Sequence, residues 1–168
     1  MSLSRRAVVA GLSSLPVAAN AGIPERVITI DTRKVGGPVD RFFDLSIGSD
    51  YPGTLIRDDS QAQLKSTVDE LGFRYIRFHA IFHDVLGTVK VEDGRIVYDW
   101  TKIDRLYDAL LAKGIKPFVE LGFTPEAMKT SDLTIFYWKG NTSHPQLGPW
   151  RDLIDAFVRH ARDRYGVE

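Results

Sequence analysis

The stretch Phe73-Arg74-Tyr75-Ile76-Arg77-Phe78-His79 constrains the fold more than any other. At the strand period of two, Tyr75, Arg77 and His79 share one face, joined less cleanly by Phe73, and Arg74, Ile76 and Phe78 share the other. The run is dense in aromatic and β-branched residues, follows a helical pattern ending at Gly72 and precedes a second helical pattern. It therefore predicts the middle strand of a parallel sheet, with a cation and an imidazole side by side on one face.

Two similar runs flank it. Phe42 to Ser49 predicts a strand with Phe43, Leu45 and Ile47 on one face and Asp44, Ser46 and Gly48 on the other. Ile115 to Phe123 predicts a third, with Phe118, Glu120 and Gly122 opposite Val119, Leu121 and Phe123. Between the first two, Ser60-Gln61-Ala62-Gln63 forms a capping box ahead of Leu64, Val68 and Leu71, and Gly72 ends that helix. Between the second and third, a polar loop with a turn at Asp93-Gly94 leads to a second capping-box pattern at Thr101-Lys102-Ile103-Asp104. Ile103, Leu106, Tyr107, Leu110 and Leu111 then follow at helical spacing up to Gly114. A long loop from Thr124 to Gly148 precedes a third helix, opened by Pro149 and closed by Gly166, with Trp150, Leu153, Ile154, Phe157, Val158 and Ala161 on one face.

Strand, helix, strand, helix, strand, helix is the order of βα units with right-handed crossovers. Each strand keeps one apolar face and one carrying polar groups: Asp44 and Ser46, then Arg77 and His79, then Glu120. A doubly wound sheet covers both faces with helices, whereas a (β/α)8 barrel covers one and points the other inward, so the pattern favours the barrel. A complete barrel takes about 250 residues. The expectation is thus three βα units of a longer protein, occupying residues 41–168 of this 168-residue chain.

The N-terminal residues predict something else. Ser4-Arg5-Arg6 precedes an uncharged run from Ala7 to Ala19, and Ala19-Asn20-Ala21 offers a small-x-small cleavage pattern. Residues 1–21 are read as an export signal, twin-arginine-like in its paired arginines. Val8-Val9-Ala10 departs from that pattern's usual continuation and leaves a general secretory signal open. Location in the periplasm or outside the cell is the expectation. Residues 22–40 form an N-terminal segment in which Val27 to Thr32 alternates as a strand should.

Lys plus Arg equal Asp plus Glu at 22 each, so nothing points to nucleic acid or an anionic membrane surface, and a neutral small molecule is the expected partner. The absence of cysteine excludes disulfides, thiolate metal sites and cysteine nucleophiles. His79, His83 and Asp84 straddle a strand end without a recognised ligand spacing, so no metal is expected. Gly36-Gly37 and Gly48 do not form a phosphate-binding loop, and no cofactor is expected.

Several motifs together resemble glycoside hydrolase family 39, which holds β-xylosidases and α-L-iduronidases. They are Arg77-Phe78-His79; Tyr98-Asp99-Trp100 with Ile103-Asp104; the run Gly114 to Phe123 with Pro125; Phe136-Tyr137-Trp138-Lys139-Gly140-Asn141; and Arg164-Tyr165-Gly166. The loop Phe136 to Asn141 and the third strand are similar to the β-xylosidase branch. The resemblance implies a TIM-barrel glycosidase with an accessory β-sandwich, to which Val27 to Thr32 would belong. It also implies retaining hydrolysis by two glutamates, exo-acting on xylo-oligosaccharides. Both glutamates fall beyond Glu168 in the family pattern, so no catalytic residue is expected in this chain. The resemblance further implies that His79 binds the sugar; a histidine satisfied within the barrel interior is the alternative. Arg77 is expected to pair with Glu120 or with the nucleophile. Tyr137 and Trp138 are expected to offer flat surfaces to a pyranose and Lys139 and Asn141 polar contacts, with loop packing as the blander account.

Overall fold

The computed structural model describes residues 26–34, 36–135 and 141–167. The chain divides into two compact units, Met1–Pro38 and Val39–Glu168. In the first, the alternating run at Val27 forms no ladder among the described residues, and Val27, Ile28 and Ile30 are all more than 70% exposed. A strand needs a second edge to take its N–H and C=O groups, and alternation alone does not supply one. The run ends instead in a turn, where Asp31 accepts the backbone N–H of Arg33 at 3.1 Å.

The second unit is built on three parallel strands, β1 (Ser46–Gly48), β2 (Tyr75–Phe78) and, after the hairpin strands β3 (Val89–Glu92) and β4 (Arg95–Tyr98), β5 (Lys116–Val119). Their order is β1-β2-β5, so the Arg77 strand is central as expected. Helices α1 (Pro52–Leu55), α2 (Asp58–Leu71), α3 (Thr101–Leu111) and α4 (Leu147–Tyr165) fill the connections and follow the last strand. Burial along β2 alternates: Ile76 and Phe78 are buried and Tyr75 and Arg77 exposed. The buried pair shares one core with Leu55, Leu64, Leu106, Leu110, Leu153 and Phe157, to which all four helices contribute. Burying each such side chain stabilises by about 1.5–3 kcal/mol.

Several boundaries differ from the sequence expectation. The first strand is shorter, because Phe42–Asp44 coils into a 3₁₀ turn and leaves Phe42 and Phe43 exposed. Helix α2 starts at Asp58 rather than at Ser60, with no side-chain cap, and its first turn carries Asp58 and Asp59, which suit the positive helix end. In α3 the capping group is Asp99, not Thr101. Its Oδ1 accepts the Thr101 N–H at 3.0 Å and its Oδ2 the Lys90 ammonium at 2.7 Å, and these bonds, Lys90's foremost, hold the carboxyl well below the usual carboxylate range. Helix α4 begins two residues before Pro149. The polar loop ahead of α3 is a hairpin turning on Asp93 and Gly94, both at positive φ. That geometry marks a two-residue type I′ turn, which Asp-Gly favours. Gly72, Gly114 and Gly166 end the helical stretches at positive φ, as expected.

Candidate active-site face

The face of the sheet opposite the helices carries the polar side chains. Gly48 is opposite Arg77 and Arg77 opposite Phe118 in the parallel register, so continuing each strand by two residues brings Asp50, His79 and Glu120 level. Arg77 and Glu120 form an ion pair across β2 and β5. Among the expected site residues this is the pairing the structure makes directly, and Arg77 remains 62% exposed on its side chain.

His79 sits one step further toward the carboxyl ends. Its ring lies against Phe123, centroids 5.6 Å apart at 29°, and its Nε2 is 3.7 Å from Oδ1 of Asp50. The β1–β2 ladder runs on to this level through the Ser49 N–H donated to the Arg77 carbonyl at 2.8 Å. Beyond His79 the chain turns at Ala80, which takes a positive φ, and drives Ile81 and Phe82 into the core. Phe82 is held edge-on by Trp150 and Phe157, and its N–H donates to the Gly122 carbonyl at 2.9 Å. The loops after β2 and β5 are thereby tied together beside the imidazole.

His83 is structural. Its Nδ1 accepts the Val85 N–H at 2.9 Å and caps a 3₁₀ turn, its ring lies 5.1 Å from that of Tyr51, and burial pushes its pKa below the ordinary histidine value. Asp84 accepts the Glu126 N–H at 3.1 Å. Among the described residues no group of three or more His, Asp or Glu side chains is arranged to hold a metal ion.

Tyr137, Trp138 and Lys139 lie outside the described residues. Asn141 is buried at 1% exposure, inside the loop rather than on it. Its carbonyl accepts the Thr124 N–H at 3.0 Å and its Oδ1 the Thr134 hydroxyl at 2.9 Å. Sequence reasoning also missed Asp50, whose only signal was its position two residues past a strand.

Among the described residues, clefts open on both sides of the sheet. One of about 540 Å³ opens on the polar face over Ser46, Tyr75, Arg77 and Phe118. The larger, about 660 Å³, lies on the helical side between Val119, Leu121, Phe157 and Tyr165, away from His79. Its apolar lining suits packing better than sugar chemistry.

A single polar face under one layer of helices, with an imidazole and an ion pair at the carboxyl ends, is the arrangement of a barrel enzyme's interior. The model of glycosyl hydrolases family 39 matches residues 26–168. The chain belongs to that family. A beta-xylosidase of Caldicellulosiruptor saccharolyticus is 40% identical over 141 residues, 83% of this chain and 29% of that protein. Among solved structures, a monomeric beta-xylosidase from Caulobacter crescentus is 89% identical with a TM-score of 0.74, over 81% of this chain and 28% of that one. A family 39 enzyme from Xanthomonas axonopodis pv. citri is 73% identical with a TM-score of 0.73, over 79% and 26%. The chain thus spans between a quarter and a third of the length of these family members. These likenesses make its fold that of a TIM-barrel glycosidase, of which the described residues supply an α/β portion.

Proposed function

We propose that this chain is the first three βα units of a retaining exo-β-1,4-xylosidase that releases xylose from xylo-oligosaccharides. Its part in that reaction is to bind sugar. His79 meets the hydroxyls of the sugar ring, Arg77 and Glu120 fix the polar floor beneath it, and Tyr137, Trp138 and Lys139 add further contacts to the sugar. The supporting observation is the level row of Asp50, His79 and Glu120 on the helix-free face, with Glu120 ion-paired to Arg77 one step back along the central strand, in a chain whose family members include beta-xylosidases.

Retaining hydrolysis needs two carboxyl groups about 5–5.5 Å apart. Both belong to the rest of the enzyme in this reading, the acid/base in an Asn-Glu-Pro within about fifteen residues after Glu168, one strand length on. The enzyme is exported by residues 1–21, and residues 22–40 belong to an accessory β-sandwich. No helix among the described residues is long and apolar enough to cross a membrane. The test is twofold. Sequencing the native transcript past codon 168 is expected to find Asn-Glu-Pro, and a stop codon there overturns the enzymatic reading in favour of a sugar-binding remnant. The purified chain is expected to leave aryl β-xylosides intact; measurable turnover overturns the assignment of both catalytic groups to the remainder.

A further inference from the structure

We propose that Asp50 and His79 act as a two-point clamp on adjacent hydroxyls of the bound sugar, which makes Asp50 a specificity-determining residue. The inference rests on the sugar-binding reading of this face. Asp50 and His79 are brought level by the β1–β2 register, and the backbone fixes that level a second time through the His79 N–H and the Asp50 carbonyl at 3.4 Å. The side chains approach to 3.7 Å between Nε2 and Oδ1, which is too long for a direct hydrogen bond. Two hydrogen bonds of about 2.8 Å that converge slightly from these atoms reach oxygens about 3 Å apart, the spacing of neighbouring equatorial ring hydroxyls.

The chemistry of the two groups is complementary. A carboxylate only accepts, so Asp50 takes a hydroxyl proton. Its negative charge favours the proton on Nε2, so His79 donates to the neighbouring hydroxyl oxygen. A neighbour on α1 orients the carboxylate, for the Thr54 hydroxyl donates to its Oδ2 at 3.3 Å and leaves Oδ1 on the imidazole side. The Asp50 side chain is 62% exposed, against 29% for His79, so the carboxylate stands at the open rim where a ligand arrives. Phe123 stacks on the imidazole and limits its swing.

Saturation-transfer difference NMR on the 168-residue chain, with D-xylose and its 2-, 3- and 4-deoxy analogues as probes, tests the clamp and tolerates self-association of the protein. Asp50→Ala is expected to weaken xylose binding roughly tenfold, the scale of one charge-assisted hydrogen bond. Asp50→Asn, which keeps a neutral acceptor of the same shape, is expected to fall between. One deoxy analogue should bind the wild type about as weakly as xylose binds Asp50→Ala, and should bind both proteins alike. Xylose affinity unchanged in both Asp50 variants but lost in His79→Ala overturns the clamp and keeps the sugar reading. Xylose binding absent from the wild type, or unaffected in His79→Ala as well, overturns both.

Discussion

Strands β2 and β5 carry nearly the same pattern and meet different fates. In β2, Ile76 and Phe78 are 1% and 2% exposed. In β5 and just beyond, Val119 and Leu121, on the corresponding face, are 39% and 49% exposed, and Phe118 on the polar face is 59% exposed. Alternation gives each strand a face to bury, but burial needs neighbours on both sides. β2 has β1 and β5 beside it and the helices over it, whereas β5 ends the described sheet. Stability in this chain is therefore expected to concentrate around β2 and thin out toward β5.

Ile76→Ala breaks that contrast most sharply. It removes a fully enclosed side chain from the middle of the core and is expected to cost about 2–5 kcal/mol, read as a lower urea midpoint with an unchanged slope. Phe118→Ala, on the same sheet one strand over, is expected to fall within about 0.5 kcal/mol. Equal losses would mean that β5 is as enclosed as β2.

A smaller effect is expected where α4 is tied back to α3. Asp104 accepts from the Tyr165 hydroxyl at 3.1 Å and lies 2.7 Å from His160 Nε2, whose ring stacks on Trp100 at 5.1 Å. Arg164 also pairs with this carboxylate at 3.5 Å. Asp104→Ala takes the acceptor from the partly buried His160 and weakens the hold on Tyr165 and Arg164, and is expected to cost about 1–3 kcal/mol. Hydrogen exchange should show the loss first in α4, because the apolar contacts of β2 remain intact.

These two regions also show how far the residues spoke for themselves. The β2 alternation, the glycine helix ends and the polar face were legible because each is a local signal that tertiary packing obeys. The strand expected at Val27 was not, because the same local pattern has no partner edge among the described residues. The hairpin at Asp93-Gly94 was visible as a turn, yet its arms, Val89 to Glu92 and Arg95 to Tyr98, read as polar loop, since only Val89, Ile96 and Tyr98 among them pack on the core. Asp99 took the cap from Thr101 because Lys90 on the hairpin anchors its carboxylate, a contact that local helix-start patterns do not register. Asn141 follows the loop-packing account rather than the sugar-contact one, and the level of Asp50 was not legible because it is set by strand pairing, not by local sequence. One loop aspartate proves level with His79, and one loop amide proves to be inside.

The loop between β2 and the hairpin offers a pH handle. His83 accepts the Val85 N–H at Nδ1, which requires the neutral imidazole, and burial lowers its pKa from the ordinary 6.5. A histidine with a lowered folded pKa keeps its contribution whole above the unfolded value and loses it as pH falls from there through the folded value. The thermal midpoint is accordingly expected to drop between about pH 7 and pH 5, and less so in His83→Asn, whose amide oxygen accepts the same N–H without titrating. Identical profiles for the two proteins would assign the acid sensitivity elsewhere.

The smallest effect is expected at the ion pair itself. Arg77 and Glu120 face each other on the open side of the sheet, where water screens them and side-chain entropy opposes their pairing. Arg77→Ala is expected to change stability by no more than about 0.2–1 kcal/mol. The same substitution removes the cation beneath His79, so in the sugar-binding reading it should weaken xylose binding by more than its small stability cost accounts for. A loss confined to stability would make the pair a bolt between β2 and β5. A loss confined to binding would make it part of the floor on which the sugar rests, and would mark the polar face as shaped for a ligand at the expense of the packing that its apolar twin obtains.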